Sequence, residues 1–243
     1  MAMRRGRVLR VCAAALVAAA GPVAASSFNI APIRIEMDRD HQTGVLTLHN
    51  EGDAPVTVQV QAVAWSQEGG DDVYQPTREL LVTPPVFVVR AQGDQIIRVA
   101  RRAVDGKGHE QAYRLYFQEI PEAAPPGFSG LRVALRIGVP VFIAAPVTAP
   151  NELTWLARWL EDGSLRLEAT NRGLAHVQIT EFAVATADDA VIARVGGSRY
   201  LLAGSHTSWT VAPVAGVDRS GTLRIRGSSD RGEIVADVPV AAP

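Results

Sequence analysis

The residues of this chain that could carry out chemistry are few, and they do not form a recognised catalytic arrangement. The histidines are scattered, and no two have the i, i+4 spacing with which one helix binds a metal. They are His41, His49, His109, His176 and His206. The sequence has no Gly-x-Ser-x-Gly nucleophile elbow and no glycine-rich phosphate loop. It therefore predicts no enzyme, no cofactor and no metal site.

The first 25 residues have the features of a secretory signal peptide. Four arginines between positions 4 and 10 precede an apolar run over 11–20, and small residues end the segment at Ala25. The apolar run is shorter than the ~20 residues that span a bilayer. We expect cleavage after Ala25, which also removes Cys12, the only cysteine. The exported chain would then be held together by core packing alone, without a disulfide bond.

Composition and periodicity predict an all-β protein with two domains. The chain has 243 residues, 47% of them hydrophobic, and its formal net charge of −1 argues against nucleic acid as a partner. Apolar and polar residues alternate over 45–50, 56–63, 95–100, 113–120 and 165–169. Only 151–160 is ambiguous, because Trp155 and Trp159 also fit a short helix. The abundance of such segments favours β-sandwiches.

An internal repeat divides the chain. Asn50-Glu51-Gly52, with Val56 four residues after the glycine, recurs as Asn171-Arg172-Gly173 with Val177, about one immunoglobulin domain later. The proline- and alanine-rich stretch 144–150 between the halves suits a short linker. We predict a signal peptide over 1–25, a first domain over 26–146, a linker over 147–150 and a second domain over 151–243.

Three segments of the first half, in this order and spacing, carry a family resemblance. They are 28–35, then 95–99 with 113–121, and finally 131–143. The chain resembles the periplasmic chaperones of the chaperone–usher pilus pathway, and within them the archaic branch that assembles spore-coat-U-like fimbrial subunits. The resemblance implies two immunoglobulin-like β-sandwich domains set at an angle, a location in the periplasm and no catalysis. It implies two partners, a pilus or fimbrial subunit and an outer-membrane usher.

The segment 131–143 is the candidate donor strand, the strand that such a chaperone lends to a subunit lacking its own last strand. Its apolar residues share one face of an extended chain. They are Leu131, Val133, Leu135, Ile137 and Val139. Their burial in a client would contribute on the order of 6–12 kcal/mol before the costs of association. From the pattern alone, an ordinary edge strand of the sandwich, whose apolar face packs against the core of its own domain, is an equal alternative.

The resemblance also assigns charged residues. Arg34 matches the arginine that holds the C-terminal carboxylate of the subunit; a solvated pair with Glu36 is the alternative. The lysine that assists this arginine in the better-known branch is replaced by Pro140, so either Arg34 acts alone or another arginine such as Arg136 or Arg98 substitutes. Glu119 and Asp230 match two acids of an ionic cluster between the domains, whose arginine falls at Ala144.

The function predicted is therefore that of a chaperone that binds, folds and caps pilus subunits by donor-strand complementation and delivers them to the usher. The alternative is a structural two-domain pilus component or adhesin built on the same sandwich. A pilus subunit lacks its own last strand, whereas the strand patterns of this chain start at Phe28 and continue to the last residues. This difference favours the chaperone. Because an exposed donor strand attracts other strand edges, we also expect self-capped oligomers when no client is present.

Overall fold

The structure is a computed structural model that describes residues 28–102, 108–121, 133–147, 152–214, 216–217, 219 and 221–241. Every regular element in these ranges is a β-strand, as the alternating pattern predicts. Among these residues no helix is long and apolar enough to cross a membrane. The predicted signal peptide over 1–25 and linker positions 148–150 lie outside the described residues.

Within the described residues, the first sandwich has ten strands in two sheets. One sheet has the order β1-β3-β8-β6; the other has the order β2-β10-β9-β4-β5, with β7 also paired to β4. The strands are β1 (Phe28–Ala31), β2 (Ile35–Met37), β3 (Thr43–Asn50), β4 (Val56–Glu68), β5 (Asp71–Pro76), β6 (Leu80–Thr83), β7 (Val86–Val89), β8 (Asp94–Arg101), β9 (Gln111–Glu119) and β10 (Arg136–Ile143).

The second sandwich contains the remaining seven strands in the order β14-β13-β16-β17-β11-β12-β15. They are β11 (Leu153–Trp159), β12 (Leu165–Asn171), β13 (Val177–Ala185), β14 (Val191–Leu201), β15 (His206–Val211), β16 (Thr222–Ser229) and β17 (Gly232–Ala241). Within the ambiguous segment 151–160, Leu153–Trp159 is thus a strand. Its burial alternates, with Trp155 and Ala157 inside and Leu156 exposed. Residues four apart share a face in a strand as they do in a helix, which explains the ambiguity.

Each sandwich has its own hydrophobic core, and a third, smaller cluster lies between them. Leu46, Leu115 and Phe117 are fully buried in the first core, and Leu165 and Leu201 in the second. The cluster between the sandwiches is made of Trp65, Phe142 and Leu202. The two immunoglobulin-like domains are therefore joined by packed side chains as well as by the chain itself.

The internal repeat is visible in the hydrogen bonds of its two asparagines. Asn50 Nδ2 donates to the carbonyl of Ala54 at 2.8 Å, and its Oδ1 accepts from Gly52 N at 3.0 Å. Asn171 makes the same two bonds, to Ala175 O at 2.8 Å and from Gly173 N at 2.9 Å. Both asparagines are fully buried. The side chain replaces the missing backbone partners of a tight turn, so the same turn chemistry ends β3 and β12.

Candidate functional site

The last strand of the first domain, β10, has a half-open edge. On one side it pairs with β9 along its whole length, whereas on the other side the parallel strand β2 covers only Val141–Ile143. Before Val141, no strand among the described residues pairs with that second side. Within the described part of the chain, this edge of β10 is thus open up to the start of β2.

The direction of the backbone groups at this edge follows from the pairing with β9. Glu119 N donates to the carbonyl of Leu135 at 2.9 Å, so Leu135 is in a hydrogen-bonded pair. Such pairs alternate along an antiparallel ladder. The polar backbone groups of Arg136, Gly138 and Pro140 consequently point to the open edge. Pro140 brings no N–H there, and its presence costs no bond to β9.

The predicted donor residues are buried to different degrees. Val133 is 65% exposed and lies before the start of β10, Leu135 and Ile137 are half-buried against the core of their own domain, and Val139 is only 2% exposed. Leu131 lies outside the described residues. The apolar face of this strand therefore points to the core of the first domain. The exposed fraction of its side chains increases towards the N-terminal end of the strand.

The opposite face of the sheet, around β10, carries arginine side chains and aromatic rings. The Arg136 guanidinium lies 3.9 Å from the ring centroid of Tyr116 on β9. Arg114 is the direct cross-strand partner of Pro140, and its guanidinium lies 4.3 Å from the ring of Trp65. Sequence reasoning missed Arg114, because only the register of β9 against β10 brings it to Pro140. The alternative, Arg98, belongs to β8 in the other sheet and does not reach this edge.

Arg34 lies immediately before β2, where the open edge of β10 ends. Its Nε is 3.1 Å from Oε1 of Glu36, and its Nη1 is 2.9 Å from Oδ2 of Asp230 in the second domain. Partial burial works to lower the pKa of Arg34, but the hydrogen bond with Asp230 and the charge of Glu36 outweigh it, and the pKa is raised above its usual value. A charged guanidinium thus stands at the junction of the two domains.

An ionic cluster continues from Arg34 into the domain interface. Asp230 Oδ1 accepts from Gln178 N at 2.8 Å, and its Oδ2 is 3.4 Å from His176 Nε2. His176 Nδ1 lies 2.7 Å from Oε1 of Glu110 in the first domain. The same oxygen accepts from His176 N at 2.9 Å. The buried imidazole thus lies between one carboxylate of each domain.

The predicted place of Glu119 in this cluster needs correction. Its carboxylate accepts from Leu135 N at 3.1 Å, within the first domain, and it lies at the far end of β9 from the second domain. The acid that faces the second domain is Glu110, just before β9 begins. Asp230 does link the domains, through Arg34 and not through Glu119. With Ala144 unable to supply a cation, His176 fills the place between the acids.

The described residues also bear on the question of metals. They contain no group of three or more His, Cys, Asp and Glu side chains that could hold a metal ion.

Comparison with solved structures identifies the class of fold. The chaperone–tip subunit complex CsuC–CsuE of the archaic Csu pili of Acinetobacter baumannii matches at 20% identity with a TM-score of 0.68, over 89% of this chain and 100% of that chain. The SafA pilin–SafB chaperone complex of Salmonella enterica matches at 17% identity with a TM-score of 0.59, over 86% and 96%. The chaperone CupB2 of Pseudomonas aeruginosa matches at 18% identity with a TM-score of 0.57, over 88% and 100%. The fold is that of the two-domain pilus chaperones.

The sequence establishes the family. The family of pili and flagellar-assembly chaperones, defined on the PapD N-terminal domain, matches residues 27–148. A search of curated protein sequences found no match to this chain. The chain belongs to the PapD-like pilus-assembly chaperones, which confirms the predicted family and its two-domain all-β fold. This is a family of chaperones, not of enzymes.

Proposed function

We propose that this chain is exported to the periplasm, where it binds, folds and caps pilus subunits of the spore-coat-U type by donor-strand complementation and passes them to an outer-membrane usher. One observation carries the proposal: the open edge of β10 runs directly to Arg34. The neighbouring CsuC and SafB structures contain a tip subunit and a pilin, respectively. The family favours this function over that of a structural pilus component.

The geometry supports a parallel direction for the added strand. A strand placed along Arg136, Gly138 and Pro140 would lie in line with β2, on the same side of β10. β2 runs parallel to β10, and Arg34 is the residue just before it. A client strand that ends with its carboxylate at Arg34 must therefore also run parallel to β10. Backbone bonds would supply affinity and alternate side chains specificity.

The carboxylate anchor follows from the same arrangement. A guanidinium binds a carboxylate through two parallel N–H bonds, which sets both position and register. Arg34 supplies this group, and Arg114, opposite Pro140, supplies the second cation nearest to the position at which other family members carry lysine. Arg136 lies farther from Arg34 along β10, so it suits acidic side chains of the client.

Partial exposure of the donor face supports strand exchange. Leu135 and Ile137 are half-buried and Val133 is exposed, so a client groove can cover apolar surface that the empty protein leaves in water. Val139 is already buried and contributes little. The gain in buried area is thus concentrated at the N-terminal end of the strand, away from Arg34.

The test is native mass spectrometry of the tagged protein, purified from periplasmic extract of its own cells. These cells must also express the small secreted β proteins whose genes lie beside its own. We expect a one-to-one complex with a small β protein. Val133→Asp should abolish the complex without disturbing the fold, because Val133 is 65% exposed. Leu156→Asp is the matched control, since Leu156 is 59% exposed on the second domain. Recovery of free protein alone, or equal loss in both variants, would contradict the proposal.

A further inference from the structure

Two carboxylates already lie against the Arg34 guanidinium. A guanidinium can bind a carboxylate with two bonds either through Nε and Nη2 or through Nη1 and Nη2. Glu36 takes Nε at 3.1 Å, and Asp230 takes Nη1 at 2.9 Å. A client carboxylate that approaches the guanidinium from the Nε side must therefore displace Glu36, and one that approaches Nη1 must share it with Asp230.

The two acids are held very differently. The Asp230 side chain is 14% exposed; its other oxygen accepts from Gln178 N, and His176 Nε2 lies 3.4 Å from the first. The Glu36 side chain is 58% exposed, and among the described residues its carboxylate pairs with Arg34 alone. Releasing Asp230 would break contacts inside the domain interface. Releasing Glu36 breaks one exposed ion pair, an interaction of small net value.

The backbone position of Glu36 also favours it as the acid that a client carboxylate displaces. It lies on β2 opposite Phe142 of β10, two residues beyond Arg34. Its carboxylate reaches back to the Nε side of the guanidinium, at the boundary between β2 and the open edge. A strand added along that edge would end at this boundary, so its terminal carboxylate and that of Glu36 would compete for the same place.

We propose that Glu36 takes the place of the client carboxylate when no client is bound: it pairs with the Nε side of Arg34 and is displaced on capture, while Asp230 stays in place and holds the guanidinium. The inference rests on the proposed role of Arg34 as the anchor. The expected consequence is that the site selects client strands over free anions. A free anion must displace Glu36 unaided, whereas a client strand does so with the help of its backbone and side-chain contacts along β10.

The test measures the contribution of the carboxylate alone. Two synthetic peptides of alternating valine and threonine, one with a free C-terminal carboxylate and one amidated, are titrated against the chain without its signal peptide by calorimetry. The readout is the ratio of the dissociation constants, amide over acid. We expect a ratio above one for the unaltered protein, and a ratio of one for Arg34→Ala. Glu36→Gln should raise the ratio about two- to fivefold, the range of an exposed ion pair.

Two further variants make the result specific. Asp40→Asn removes an equal charge from an exposed residue nearby that has no contact with Arg34, and should leave the ratio unchanged. Asp230→Asn should raise the ratio less than Glu36→Gln does; a larger rise would make Asp230 the displaced acid and overturn the inference. An unchanged ratio in Glu36→Gln overturns it as well. If neither peptide binds the unaltered protein, strand addition itself fails, and the inference fails with it.

Discussion

The His176 ring of the second domain stacks on the Phe142 ring of the first, with 3.6 Å between centroids and 14° between planes. Phe142 is on β10, directly opposite Glu36 of β2, so the stack ties the domain interface to the strand that we propose as donor. The same imidazole bonds to Glu110 and approaches Asp230, which holds Arg34. Anchor, donor strand and domain interface are therefore parts of one contiguous structure.

Replacing His176 by phenylalanine tests this interface. The ring stack on Phe142 can persist, but the Glu110 carboxylate loses the imidazole that it contacts at 2.7 Å while it remains buried. We expect a loss of about 1–3 kcal/mol in the free energy of unfolding, because the buried carboxylate keeps the bond from the backbone N of residue 176 but loses the bond to the ring. Urea unfolding at neutral pH measures it. His206→Phe, at an exposed position of β15, is the control, and an equal loss there would count against the interface role.

Arg34→Ala should abolish client capture and leave the fold intact. The guanidinium is partly exposed, so its two ion pairs contribute at most about 1 kcal/mol to stability. The measurement is the amount of subunit that co-purifies from periplasmic extract, alongside the thermal midpoint of the variant. Arg39→Ala, exposed in the turn after β2, should retain the subunit at full yield. Retention of subunit by the Arg34 variant would show that another group is the anchor.

Arg114 is the arginine that we expect to assist Arg34. Arg114→Gln should lower subunit retention several-fold, because it removes the cation opposite Pro140. Arg98→Gln removes an equal charge from the other sheet and should leave retention unchanged. The two variants are compared in the same co-purification assay. Equal retention by both would assign the second contact to Arg136 or to Arg34 alone.

Local patterns predicted the fold well because their causes are local. The Asn50 and Asn171 turns could be recognised from sequence, since each side chain satisfies backbone groups within four residues of itself. Alternation likewise placed Leu135, Ile137 and Val139 on one face. A period of two does not say whether that face points to the core of the first domain or away from it. The structure shows that it points to the core.

The charged part of the site was harder to predict, because it depends on contacts between distant segments. Glu119 and Glu110 are both acids at ends of β9, and only the docking of the second domain shows that Glu110 is the one that meets His176. The fully buried His176 carries no motif of its own beyond its place in the Asn171 turn. The resemblance supplied Arg34 and Asp230, and the structure adds that they contact each other.

The open edge of β10 predicts self-association of the empty protein. The backbone groups of Arg136 and Gly138 that face this edge have no strand partner among the described residues, and with the exposed Val133 beside them they form a template that a second copy can pair with. Sedimentation velocity without client should show a weak dimer or higher oligomer that grows with concentration and dissociates when the C-terminal acid peptide is added in excess. Val133→Asp should remain monomeric, because pairing would place its charge against apolar surface, whereas Leu156→Asp should still associate. A monodisperse monomer at high micromolar concentration would mean that the edge is protected by other means in the empty chaperone.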